Sequence, residues 1–560
     1  MNLESKQQKW IYAAALACLW ASSEIILGSF LHNLKIPMRG TILASIGVAI
    51  MAATGYRFKL RGIYWRAGLL TAAMKTLSPS AVLLGPMLAI TMQGLIMEVV
   101  VSGGGPRRVF FILGGALSIT WNFVHLILGY WLYYGNDVIE LYNNLVDYAR
   151  KETGWSFVSG TALIVAFGSV YFIAGAIAGW MGTALRKPGI SKPLNIPRKD
   201  KAIGPPVKKV IANLPDRSLL WFFLLPFMVA SQLYMMMYLP VEVCFFAWAA
   251  AISMLIIRYR SSYKRLAKIR FWIVFLLLTV LSSLLLGPTL QEGLLIGLRM
   301  NMRAILFVLV LAALSFELRN EKLTRQVNKR MKNFLAVFET SFDTLPMVIS
   351  ILPPAATILK KPRESLSLFA GTFSVWVDSM YFRQLDSMPV VLITGEKGSG
   401  KSLLIQEKIL PYLAEKQVDY SGIVMNYVFA DDKHIGYKIR LLPGSEEKIL
   451  VGPDVSDAQL TIGRYAFSAS AFDAGTKHTT DLLSKSKLVV LDECGWLESY
   501  GLGWYTLMKE IRTRVVPLIV VVRPDLSSDF CQFWNVNPVK ELAPDSSDEE
   551  VRVAVDGLMR

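Results

Sequence analysis

VVLITGEKGSGKSLL, residues 390–404, settles how the surrounding chain is read. Val390–Ile393 is a short apolar run rich in β-branched residues, the pattern of a buried strand. It leads into glycines at 395, 398 and 400 and then into Leu403 and Leu404, which begin an apolar helix. Residues 395–402, GEKGSGKS, satisfy G-x-x-x-x-G-K-[ST]. A triphosphate needs several backbone N–H groups turned inward, so Gly395, Gly398 and Gly400 are each expected at positive φ. A helix N-terminus behind the loop meets the negative charge. Lys401 is expected on the β- and γ-phosphates and Ser402 on Mg2+, with Glu396, Lys397 and Ser399 completing the loop. This stretch is expected to bind a nucleoside triphosphate with Mg2+.

The rest of the composition is not that of a soluble enzyme. Of 560 residues, 53% are hydrophobic and 18% charged, and mean hydropathy is +0.43. Those values describe a membrane protein with a soluble part. The formal charge of +17 fits basic cytoplasmic loops better than nucleic-acid binding, so no nucleic-acid partner is expected. Cys18, Cys244, Cys494 and Cys531 are far apart and show neither disulfide nor zinc spacing. MNLESKQQKW (1–10) precedes a long apolar run without a small-residue cleavage site, which predicts a retained first helix.

A span takes about 20 apolar residues, and on that measure the chain holds about ten candidates. They are 10–30, 41–55, 67–84, 85–101, 109–134, 157–185, 218–238, 240–257, 271–287 and a stretch ending near Phe316. Lysine and arginine place 57–66, 107–108, 186–217 and 258–270 inside and 135–155 outside, with both termini cytoplasmic. Residues 186–217, basic and proline-rich, read as a linker along anionic lipid. They divide a six-helix unit (1–185) from a four-helix unit (218–316). Residues 317–388 read as amphipathic helices, either lying on the membrane or coupling it to the nucleotide domain. After the phosphate loop, apolar runs alternate with helical ones, with strands expected at 423–429, 436–442, 488–491 and 517–522. The predicted architecture is a polytopic α-helical membrane protein of about ten spans followed by a cytosolic α/β domain, 389–540, and an acidic, solvated tail, 541–560.

LVVLDECGWLE (488–498) supplies the second half of the site. A buried strand that ends in Asp492-Glu493 delivers carboxylates to the edge where α/β proteins bind ligands. Asp492 is expected to hold Mg2+ through water, and Glu493 to polarise the attacking water. Arg464 and Arg523 are candidates for transition-state charge, or solvated surface arginines. ITGEKGSGKSLL, GYKIRLLPGSEEKIL, IGRYAF, LVVLDECGWLE and PLIVVVRPDL occur in an order that resembles the small P-loop nucleoside-triphosphatase family first known from thermophiles. The resemblance implies Mg2+-dependent hydrolysis of ATP or GTP. By motif position it carries over Gly395, Gly398, Gly400, Lys401, Ser402, Asp492, Glu493 and, less directly, Glu498. Cys494 and Trp496 depart from the family's pattern.

The apolar half has a resemblance of its own. SEIILGSFLHNLKIPMRGT and LLGPMLAITMQGLIMEVVV look like the substrate-binding S component of energy-coupling-factor (ECF) micronutrient importers. GLLIGLRMNMRAILFVLVLAALSFELRN is similar to their transmembrane T component. Glu24, Lys75, Gln93 and Glu98 lie in apolar runs, where an unpaired charge costs at least ~2.5 kcal/mol near mid-bilayer. They are the candidate membrane substrate site, with structural ion pairing between helices the alternative. The expected function is a bacterial inner-membrane importer of a vitamin or metal carrying a fused nucleoside-triphosphatase. A membrane-anchored NTPase in signalling or nucleotide metabolism, moving nothing, is the alternative. The expected partners are nucleoside triphosphate, lipids, a micronutrient, and either separate ABC ATPases docking on 321–350 or further copies of the chain.

Overall fold

The structure is a computed structural model. It describes the chain except residues 1–4, 35–37, 76–83, 155–158, 185–193, 196–219, 260–268, 287–288, 318–336, 338–339, 342–343, 346, 350–351, 397, 431–432, 454, 463–464 and 560. The expected linker 186–217, the 258–270 loop and the helices at 321–350 therefore lie largely outside the described residues. The chain divides into two compact units. One is Met1–Ala184 with Pro205–Lys360, and the other is Leu185–Gly204 with Lys361–Arg560.

The first unit is helical: α1 (Ser5–Asn33), α2 (Arg39–Phe58), α3 (Tyr64–Met74), α4 (Leu84–Gly104), α5 (Arg108–Tyr134), α6 (Asp137–Thr153), α7 (Gly160–Thr183), α8 (Leu220–Tyr238), α9 (Val241–Arg258), α10 (Ile269–Leu285), α11 (Leu290–Glu317) and α12 (Ala355–Lys360). Among the described residues, six helices are long and apolar enough to cross a membrane. Val165, Phe167, Val170 and Ile173 on α7, and Phe223 and Phe227 on α8, are exposed. Such an apolar surface suits lipid rather than water. Helices α5 and α7 pack backbone to backbone, because a Cβ at Gly179 would stand 2.5 Å from the Phe111 carbonyl oxygen. The 135–155 stretch, expected as a loop, is helix α6. Its Asp137 and Glu140 lie in the first turn and its Arg150 and Lys151 in the last, each sign matching the helix dipole. The two expected helix groups share a core. Tyr134 and Leu141 cluster with Leu225, Leu255, Phe275 and Leu306, and Asn144 donates to the Leu285 carbonyl at 2.7 Å.

The second unit is α/β. Its strands are β1 (Leu194–Asn195), β2 (Met388–Ile393), β3 (Tyr420–Ala430), β4 (Lys433–Leu442), β5 (Glu447–Gly452), β6 (Ala458–Ile462), β7 (Tyr465–Ser468), β8 (Leu488–Leu491), β9 (Leu518–Val521) and β10 (Val536–Leu542). They form one sheet in the order β1-β6-β7-β5-β4-β3-β8-β9-β2-β10. The block β3-β8-β9-β2-β10 is parallel throughout. Strands β8 and β9 lie in the middle of that block and are buried along their whole length, so they read as unbroken apolar runs.

Around the sheet lie α13 (Pro362–Phe382), α14 (Lys401–Leu404 continuing through a π turn, Ile405–Ile409, into Leu410–Glu415), α15 (Ala469–Leu482), α16 (Tyr505–Arg514), α17 (Ser527–Trp534) and α18 (Asp548–Met559). Of residues 541–560, expected as a solvated acidic tail, 541–559 are described and folded. The acidic stretch 547–550 is exposed, but Val551, Ala554, Val555 and Leu558 of α18 enter the same core as Ile393, Leu404 and Leu413. Their spacing puts them on one helix face. Helix α13 is likewise built into this unit. Buried Arg512 donates to the carbonyls of Phe382 (3.1 Å), Asp386 (2.7 Å) and Trp534 (2.7 Å).

Candidate nucleotide site

The site forms at the C-terminal edge of the parallel block. Between β2, which feeds the glycine loop, and β8, which ends in Asp492, stands β9. That extra strand sets the loop and the carboxylates one strand apart, leaving a crevice between them. Gly398 (φ +80) and Gly400 (φ +96) take the left-handed backbone that aims amides inward. Gly395 does not, which corrects the expectation of positive φ at all three glycines. Its requirement is steric: a Cβ there would stand 2.7 Å from Ser399 Oγ and 2.9 Å from Pro544 Cγ. Pro544 belongs to the segment expected as tail, so residues after β10 form the back wall of the loop. The same segment anchors the loop's flanks. Thr394 donates its N–H to the Leu542 carbonyl at 3.0 Å and its hydroxyl to Glu541 at 2.7 Å. Lys408 donates to the Ser546 carbonyl at 2.8 Å.

Lys401 lies at the first turn of α14 and donates Nζ to the carbonyls of Gly395 (2.8 Å) and Glu396 (2.5 Å). The ammonium thus bridges the loop it would share with phosphate. Glu396 and Ser399 line the rim, exposed. Lys397 and Arg464 lie outside the described residues. Ser402 lies near enough to Asp492 to pull on its carboxyl. Asp492 also accepts from the Met425 N–H at 2.9 Å. It is 2% exposed, and burial pushes its carboxyl up to about 6 against the pull of Ser402, Met425 and Lys401. Glu493, next in the chain, is exposed and sits at φ +67. A β-carbon is unfavourable there, and such strain collects at functional positions.

Glu498 is no surface carboxylate. It is buried, accepts from the N–H groups of Gly495 (2.8 Å) and Trp504 (2.9 Å), and burial pushes it up to about 7. It braces the loop that carries Glu493. Arg523 follows β9 and forms a two-pronged pair with Asp525 at 3.1 and 2.7 Å. Tyr427 on β3 belongs to no motif. Burial, with Glu493 and Asp492 nearby, holds its phenol above the ordinary value. An aromatic on a hairpin strand gives no spacing signal of its own.

Glu24, Lys75, Gln93 and Glu98 in the first unit do not converge. Lys75 pairs with Glu24 at 2.9 Å, both largely buried. Glu98 caps α3, accepting from the N–H groups of Gly62 (2.7 Å) and Tyr64 (2.8 Å). Gln93 donates to Asn122 at 3.0 Å. Of the four, Glu24 and Lys75 meet each other, while Glu98 and Gln93 take other partners.

Residues 390–540 match the family described as NTPase. The match begins in β2 and ends in β10, and it contains both the glycine loop and Asp492-Glu493. Two solved structures are similar to this chain. One is THEP1 from the hyperthermophile Aquifex aeolicus, 19% identical, covering 30% of this chain and 99% of that one at a TM-score of 0.25. The other is a human cancer-related nucleoside triphosphatase, 17% identical, covering 30% of this chain and 94% of that one at a TM-score of 0.23. A comparison with curated proteins gave no match. No match supports the expected likeness to importer components. Helices α13 and α18 of the second unit lie outside the matched residues.

Proposed function

We propose that the NTPase domain hydrolyses nucleoside triphosphates, ATP or GTP, with Mg2+. The observation that carries this is that β2 and β8, one strand apart, bring the glycine loop with Lys401 and Ser402 to the same sheet edge as buried Asp492 and strained Glu493. Among the described residues no three His, Cys, Asp or Glu side chains converge as a metal cage. A hydroxyl and one carboxylate do fit Mg2+, which keeps several waters and takes its other oxygens from phosphate. When bound, Mg2+ would neutralise charge on the β- and γ-oxygens. The chain's own residues do the rest. The loop amides and Lys401 hold the phosphates in line. Glu493 accepts a proton from the attacking water, and the γ-phosphoryl passes to that water as the diphosphate leaves.

The test is Lys401→Ala in the full-length protein. Hydrolysis should fall at least about 100-fold with the fold intact, since the variant removes a charge used on the transferring group. Normal turnover would end this assignment.

The helical unit embeds the chain in a membrane, a bacterial inner membrane with both termini cytoplasmic on the lysine and arginine pattern. Micronutrient import is the second reading, favoured by the buried Glu24–Lys75 pair among apolar helices. Mass spectrometry of small molecules co-purifying with the protein decides it. A bound ligand that is lost on Lys75→Met supports import; none retained favours an anchored NTPase.

A further inference from the structure

Helix α13 precedes the family-matched residues, yet it touches the loop that carries Glu493. Asp378 on α13 is 5% exposed, a costly place for a carboxylate unless it is fully bonded. It accepts from Tyr505 Oη at 2.6 Å and from Lys509 Nζ at 2.6 Å. Tyr505 begins α16, one residue after Trp504, whose N–H is held by Glu498. Three residues before Asp378, Val375 packs against the turn at Gly501, where a Cβ would stand 2.7 Å from its methyl. Gly501 takes φ +76 and Gly503 φ +62. The segment from Asp492 to Tyr505 is therefore fixed at three places. Asp492 is tied to Met425, Glu498 ties Gly495 to Trp504, and α13 holds the far end.

Resting on the hydrolytic reading above, we infer that Asp378 is a positioning residue for Glu493. Through Tyr505 and Lys509 it fixes the far end of the carboxylate loop, and α13 is thereby a working part of the hydrolytic site. The strained backbone of Glu493 needs such bracing, because a left-handed glutamate persists only where its surroundings over-determine it. Small displacements of a reacting group are costly in rate.

The experiment measures kcat, KM and affinity for a non-hydrolysable triphosphate on the full-length protein. Its variants are Asp378→Asn, Tyr505→Phe, the double variant and Ser379→Ala. Ser379 bonds the same helix to the Phe533 carbonyl at 2.9 Å, away from the loop. Asp378→Asn should lower kcat about 10- to 100-fold, with KM and analogue affinity held within about twofold. Tyr505→Phe should fall in the same direction, and the double variant should be no worse than Asp378→Asn, because the two act through one contact. Ser379→Ala should lower the melting temperature by about 2–4 °C and leave kcat alone. Should Asp378→Asn fail to fold, Tyr505→Phe decides. The inference falls if the folded Asp378 or Tyr505 variants keep wild-type kcat, or if Ser379→Ala loses as much kcat as they do. Wild-type turnover abolished by Lys401→Ala keeps the parent reading, whichever way these variants go.

Discussion

Glu493 is the residue where structure and chemistry disagree most usefully. An L-residue in the left-handed region costs roughly 1–2 kcal/mol, and glycine would remove that cost. Glu493→Gly should therefore melt about 2–4 °C higher than wild type while losing hydrolysis. A variant that loses stability as well would show that the side chain braces the loop. Asp492 carries the pH dependence. Its ordinary value is 3.8 and burial raises it to about 6, so the fold favours the protonated form. Stability of the nucleotide-free protein should thus fall as pH rises from about 4 to about 6, because the unfolded chain releases this proton at the lower value and the folded chain only at the higher one. Thermal melts of Asp492→Asn against wild type isolate this: the variant's advantage should grow across that window and level off above it. A shrinking advantage would contradict the burial argument. The positions of Lys401 and Ser402 were legible because the glycine loop fixes their spacing, and that of Asp492-Glu493 because an unbroken apolar run, Leu488–Leu491, ends at it. Glu498 was legible only as a carboxylate. That both its oxygens go to backbone amides depends on a folded 3₁₀ turn, which no motif encodes. Asp378 gave no signal, since its partners lie more than a hundred residues away.

Among elements, those with a long period or an unbroken apolar run were readable. The expected strands in β3, β4, β8 and β9 are all present, and every expected span coincides with a helix in whole or in part. Strands β1, β5, β6, β7 and β10 were not among those expected. β5 is exposed over its first half and buried over its second, so it lacks clean alternation. Helix α18 was misread because its charged first turn dominates the composition, whereas Val551, Ala554, Val555 and Leu558 recur at helical spacing. Burial argues that it is structural. Leu558→Ala should cost about 2–4 kcal/mol, as core leucines do, seen as an earlier urea midpoint with hydrolysis unchanged at low denaturant. A change within ~0.5 kcal/mol would return residues 548–559 to the status of a surface tail.

For the whole molecule, the composition separates an apolar part from an α/β part, and the structure has a helical unit and an α/β unit whose boundary falls at residues 360–361. Sidedness is the expectation still to be measured. A cysteine at exposed Tyr148 on α6 should react with an impermeant maleimide added to intact cells, and one at exposed Val539 on β10 only after permeabilisation. The reverse pattern would invert the topology. Sheet order also bears on how the chain is made. The strand that feeds the glycine loop, β2, finds both its partners, β9 and β10, only after the ribosome has added well over a hundred further residues. Until then Val390–Ile393 is an apolar strand with two open edges, the kind of surface that invites pairing with another chain. Nascent chains must shelter it until β9 and β10 arrive.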